Sequence, residues 1–186
     1  MAGMRPLRAD AARNRARLLR VAYETFATEG LSVPVDEIAR RAGVGAGTFY
    51  RHFSTKEDLF TALVADRLAL HQERAQELAE QLEAGSAFFE FLDWLVREGG
   101  ADQGLMEALA GTGFDLGTAH PEAEQEWLGA LDRLLRAAQT EGHVRADVDV
   151  RDLKSLVVGY QAMVRHRADV DAVPRLLAVM HAGLSA

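Results

Sequence analysis

The stretch Val35–Phe53, VDEIARRAGVGAGTFYRHF, constrains this chain more than any other part of it. Ile38, Ala39 and Ala42 make an i, i+1, i+4 apolar stripe, and Phe49 and Phe53 place two rings four residues apart. Each run therefore reads as a short helix with one face to bury. Gly43 stands where a helix most often ends, after Arg40 and Arg41, whose charges suit the negative end of the macrodipole. Val44 plugs the corner, and Gly45 is an acceptable N-cap for the second helix. At about 100° per residue, the face opposite the two rings carries Gly47, Thr48 and Arg51, flanked by Tyr50 and His52. Arg can bind guanine bidentately, Thr can meet a thymine methyl or a phosphate, and glycine admits a close backbone. The pattern fits a helix-turn-helix placed against nucleic acid; a helical hairpin with no partner has the same local signature.

The alternating Gly43, Gly45 and Gly47 do not make a dinucleotide loop. That fingerprint needs a buried strand before it and G-x-G-x-x-G spacing, whereas a charged helix precedes this trio and no Lys-Ser/Thr pair follows it.

The 186 residues carry a formal charge of −7, which is unexpected beside nucleic acid until the charges are placed. Residues 1–56 hold ten Lys and Arg against five acids, and residues 57–186 hold eleven against twenty-three. A basic N-terminal part attracts phosphate while an acidic remainder stays off it and aids solubility. With no cysteine, neither a disulfide scaffold nor a thiolate metal site is possible, which fits a reducing cytoplasm. No apolar run opens the chain and none reaches membrane-spanning length, so a soluble cytoplasmic protein is expected.

Residues 1–10 lack periodicity and are expected to form a mobile arm. A helix from Ala11 buries Leu18, Leu19, Ala22 and Phe26 and ends at Gly30; Pro34, Asp36 and Glu37 open the next. After the helix-turn-helix, Ser54 and Glu57 have capping-box spacing ahead of a long helix. Residues 86–98 are apolar around most of a helix. Glycines from Gly99 to Gly117 are expected to interrupt the chain, which would leave it loose enough to gate a cavity, although an ordinary connection explains them equally well. Three more helices follow, from Pro121, near 150–168 and near 172–184. The last two carry apolar arcs wider than one core requires, which suits a partner subunit; burial of both within the monomer is the alternative.

The run from about Arg15 to Leu63 resembles the N-terminal DNA-binding domain of the TetR family of bacterial transcriptional regulators. The resemblance rests on LLRVAYETFATEG, VDEIARRAGV, GTFYRHF and STKEDLF taken together. It implies an all-α protein of about nine helices. Residues 1–56 would be the DNA-binding domain and residues 57–186 a ligand-binding and dimerisation domain whose last two helices pair with their twofold mates. It implies DNA contacts from Arg40, Gly45, Ala46, Gly47, Thr48, Tyr50, Arg51, His52 and Lys56, the last to a phosphate. Two departures stand out: Val33 and Pro34 replace the usual hydroxyl residue near the second helix, and Gly45 and Ala46 replace Ser and a longer side chain.

The expected function is a ligand-responsive regulator, a homodimeric repressor on a palindromic operator, released by a small apolar effector. The alternative is a ligand-independent or activating regulator. Phe88, Phe91, Trp94, Leu95, Met106, Phe114, Trp127, Tyr160, Met163 and His166 are candidates to line an effector pocket, and each is also a plausible plain core residue. The six histidines, at 52, 71, 120, 143, 166 and 181, show no metal spacing, and no G-x-S-x-G elbow exists. Neither an enzyme nor a cofactor is therefore expected.

Overall fold

The computed structural model describes residues 4–111, 113, 121–167 and 172–186, with the side chains of all but 4–9, 98–104, 106–108, 110 and 165–167. Eight helices are found among the described residues: α1 Met4–Glu29, α2 Val35–Arg41, α3 Ala46–His52, α4 Lys56–Gln81, α5 Ala84–Ala110, α6 Pro121–Thr140, α7 Val150–Arg167 and α8 Ala172–Leu184. The all-α class is as expected. Among the described residues no helix is long and apolar enough to cross a membrane.

Two helices are longer than their patterns imply. α1 begins at Met4, not Ala11, because Pro6 falls in the first turn, where its missing N–H has no intrahelical partner to lose. α5 runs on through Gly99, Gly100 and Gly104 to Ala110, where an interruption is expected. Each glycine costs about 1 kcal/mol relative to alanine in a helix, and the strong helix formers around Leu105 and Met106 outweigh that.

The chain packs as two compact units. One comprises the described residues of Met1–Asp66 and Leu105–Ala119, the other those of Arg67–Gly104 and His120–Ala186. One division between the two units falls inside α4, after Asp66.

In the first unit Leu18, Leu19 and Phe26 of α1 are buried with Ile38, Phe49, Phe53, Leu59, Phe60 and Leu63. Phe26 and Phe60 meet edge to face with centroids 5.3 Å apart, locking α1 to α4. The start of α4 is capped one residue later than the sequence pattern implies. Thr55 Oγ1 accepts from the Asp58 amide and Asp58 Oδ2 accepts from the Thr55 amide, both at 3.0 Å, so the reciprocal box is Thr55 with Asp58 and not Ser54 with Glu57.

In the second unit Phe88, Phe91, Leu92 and Leu95 of α5 form one buried cluster with Leu131 and Leu135 of α6, Leu153 and Val157 of α7, and Leu177 and Met180 of α8. Asp149 caps α7, its Oδ1 accepting from the amides of Arg151 at 2.7 Å and Asp152 at 2.9 Å. Those bonds hold its carboxyl below the usual range. Gln139 Nε2 donates to the carbonyls of Arg145 and Val148, both at 2.9 Å, and so closes the α6–α7 connection.

Candidate nucleic-acid interface

α2 starts at Val35 after Pro34, whose extended backbone serves as N-cap without any side-chain bond and whose carbonyl accepts from the amides of Glu37 and Ile38. α2 ends in a Schellman motif. The Val44 amide reaches the Ala39 carbonyl at 3.0 Å, the Gly43 amide reaches that of Arg40 at 3.1 Å, and Gly43 takes φ +65°. A side chain at 43 would be strained in that left-handed conformation, so the glycine fixes the corner between the helices. Gly45 then caps α3, its carbonyl accepting from Thr48 at 2.8 Å and Phe49 at 3.1 Å.

One face of α3 is anchored. Phe49 and Phe53 are almost wholly buried, with their centroids 5.6 Å apart, and the Arg15 guanidinium stands 5.8 Å from the Phe53 ring centroid. The other face is open: Gly45, Ala46, Gly47, Tyr50 and Arg51 are exposed, and Thr48 and His52 are half-buried. Arg51 has no carboxylate partner among the described residues.

Much of the positive charge nearby is already held. Glu37 accepts two bonds from Arg40 and one from Arg41, all at 2.7 Å. Arg41 reaches on to Glu29 at the end of α1, with Nη2 3.0 Å from Oε2 and Nη1 against Oε1. The two guanidinium groups push the Glu37 carboxyl down to about 2, and Arg41 likewise lowers that of Glu29. Arg13 pairs with Asp10 and Arg20 with Glu24. Arg40 is therefore exposed yet clamped. Lys56 turns inward, its Nζ 2.5 Å from the Leu31 carbonyl and 2.9 Å from that of Val33. The latch through Glu37 was visible as i+3 and i+4 spacing to Arg40 and Arg41; the long-range bridge to Glu29 and the inward turn of Lys56 left no local signal.

In the second unit the effector candidates separate. Phe88, Phe91 and Leu95 are packed core with at most 1% exposure, whereas Trp94, Trp127 and Tyr160 are half-buried at the edge of the cluster. Met163, another of the candidates, is 50% exposed on the outer face of α7. Met106, Phe114 and His166 lie outside the described side chains. Trp127 Nε1 is buried with no hydrogen-bond partner among the described residues. An open groove of about 590 Å³ lies elsewhere, bordered by Gly85, Phe89, Asp93, His143 and His181, with His181 Nε2 2.6 Å from Asp93 Oδ1. No effector candidate lines it.

An all-helical chain with a Schellman-cornered helix pair, an aromatic anchor behind α3 and a glycine, tyrosine and arginine face in front of it is a helix-turn-helix DNA-binding protein. Residues 18–63 match the family of bacterial regulatory proteins known as the tetR family, and residues 83–186 match the C-terminal domain of SbtR-like transcriptional regulators. The chain belongs to the TetR family of transcriptional regulators. It is similar to a TetR transcription regulatory protein from Mycobacterium vanbaalenii, with 50% identity, 97% of this chain and 100% of that one covered, and a TM-score of 0.80. The TetR regulator SCO0520 from Streptomyces coelicolor is 28% identical, with 92% and 98% covered and a TM-score of 0.75. An HTH-type transcriptional regulator of Staphylococcus aureus strain USA300 is 43% identical over 54 residues, which is 28% of this chain and 29% of the length of that relative.

Proposed function

We propose that the protein is a cytoplasmic, homodimeric repressor that reads a palindromic operator with its two α3 helices and is released by a small effector. Residues 1–56 act in DNA binding, and residues 57–186 in effector binding and dimerisation. The observation that carries the DNA contact is the exposed run Gly45, Ala46, Gly47, Tyr50 and Arg51 on a helix immobilised from behind by Phe49 and Phe53. Two glycines and an alanine let the helix end approach a phosphate closely, and Arg51 is then placed for a base edge.

The dimer reading is supported by α7 and α8. Leu156 and Met163, seven residues apart and so on one helical face, are 37% and 50% exposed, and Val179 of α8 is 65% exposed beside the exposed Ala178 and Ala182. Large aliphatic groups flanked by small ones are what a second copy of the chain would cover in an isologous four-helix interface. A twofold dimer needs recognition helices about 34 to 36 Å apart to enter successive major grooves, hence the palindrome.

The effector reading is supported by the Trp127 N–H, which is buried with no hydrogen-bond partner among the described residues. An unpaired buried donor costs about 1 to 3 kcal/mol, which a ligand bearing a hydrogen-bond acceptor would recover. α4 is one continuous helix with residues in both compact units, so a shift of its second half has a covalent route to the DNA-binding motif. Recovery of bound fragments from sheared genomic DNA by the purified protein, with sedimentation of the free protein, tests the whole. A palindromic recovered site and a dimer are expected; a monomer that protects a full palindrome would remove the dimer from the mechanism.

A further inference from the structure

Lys56 is the first residue of α4 and its ammonium acts inside the first unit. Its Nζ donates to the carbonyls of Leu31 and Val33 and stands 5.6 and 5.8 Å from the ring centroids of Phe26 and Phe60. Three elements therefore meet at one atom: the end of α1 through Phe26, the connection at 31–33, and α4 through Phe60. The two carbonyls belong to the short connection that leads into Pro34, the N-cap of α2. Because no side chain caps α2, its starting point is set by where that connection is held. Hydrogen bonds donated by an ammonium are roughly twice as strong as neutral ones, and its place beside two aromatic rings adds a cation–π attraction.

We propose that Lys56 is a positioning residue, which fixes the 31–33 connection and with it the angle at which α2, and through the Gly43 corner α3, is presented to DNA. Two of its three N–H bonds point at backbone carbonyls, so the ammonium already has a task within the free protein. This role presupposes that α3 reads DNA. It differs from a phosphate contact in a measurable way, because misplacing α3 damages base readout while leaving non-specific attraction intact.

The test uses the full chain with Lys56→Met, which keeps an unbranched apolar stem beside Phe26 and Phe60 and removes the ammonium. Hydrogen exchange of the free protein is expected to speed up by about tenfold or more at residues 31–38 and to stay unchanged at 18–26 of α1. Binding is measured on a duplex that the wild-type protein selects from a random pool, and on a scrambled duplex of the same composition. Affinity for the selected duplex is expected to fall about tenfold, with the scrambled duplex and the salt slope unaffected, whereas a lost phosphate contact would weaken both alike and lower the slope by about one. That second pattern overturns the proposal. So does unaltered exchange at 31–38, or exchange that rises equally throughout α1, α2 and α4. A wild-type protein that selects no duplex would instead remove α3 as a reader, and the exchange measurement would still decide whether Lys56 holds the connection.

Discussion

Arg41 of α2 and Glu29 at the end of α1, twelve residues apart in sequence, are joined by two hydrogen bonds, and the same guanidinium also binds Glu37. The latch ties the first two helices outside their apolar contact. Arg41 lowers the Glu29 carboxyl that it bridges to, and the acid limit of the α2 side of the latch follows from Glu37, whose carboxyl is held at about 2 by Arg40 and Arg41 against an ordinary value of 4.5. A carboxyl depressed on folding contributes stability that is fully present above its unfolded value and is lost as pH falls toward the folded one. The latch should therefore weaken between about pH 4.5 and 2. Melting temperatures of wild type and Glu37→Gln, followed across that window by circular dichroism, are expected to converge as pH falls. Parallel curves would show that the bonds contribute nothing in solution.

Arg51 is exposed and without a carboxylate partner among the described residues, so its removal should leave stability untouched. Arg51→Ala is expected to cost about 1 to 3 kcal/mol on the selected duplex and to relax one operator position. Binding to a set of single-base operator variants reads this directly. Equal losses on selected and random DNA would reassign Arg51 to the phosphate backbone.

The helix-turn-helix was legible because its determinants are local: the Gly43 corner, the Phe49–Phe53 spacing and the charges at the ends of α2 all lie within twenty residues. The bounds of α8 followed from periodicity in the same way, whereas the all-α class was what the family resemblance implied. What escaped depends on competition or on distance. Thr55 with Asp58 and Ser54 with Glu57 offer the same box one residue apart, and sequence cannot choose between them. Gly99, Gly100 and Gly104 read as breaks, yet the helix formers around them carry α5 through. Lys56 and Arg41 find partners on other segments, which no local pattern encodes. The effector candidates share one chemistry, and only burial separates the packed Phe88 and Phe91 from the half-buried Trp127 and the exposed Met163.

The exposed faces of α7 and α8 give a second prediction about assembly. Val179 is 65% exposed and Met163 50%, so a charge at either position is solvated in the monomer and buried only if a second copy packs there. Val179→Asp with Met163→Glu is expected to leave the helical content and melting of the monomer nearly unchanged while abolishing the dimer in sedimentation. Loss of the dimer should also lower affinity for a palindrome far more than for a half-site, since the second contact becomes intermolecular again. A double variant that remains dimeric would place the interface elsewhere.

The effector hypothesis makes a reciprocal prediction, which Trp94 and Trp127 can report without labels because they are the two tryptophans of the chain. A ligand that accepts a hydrogen bond from the buried Trp127 Nε1–H should alter the fluorescence of that residue, and Trp127→Phe should weaken that ligand while sparing DNA binding in its absence. To act as an inducer, the ligand must favour the arrangement that cannot bind DNA; equal affinity for both arrangements shifts nothing. A coupling of about 1 to 3 kcal/mol would lower operator affinity some 5- to 150-fold, and operator DNA must weaken the ligand by the same factor. Titration of a candidate molecule with and without saturating operator is therefore decisive. Dissociation constants that differ by the factor seen in the DNA experiment are expected, and identical constants would exclude that molecule as the effector even if it binds tightly. Should no ligand that reaches Trp127 shift operator affinity, the unpaired indole would be a cost of packing and the protein a ligand-independent regulator.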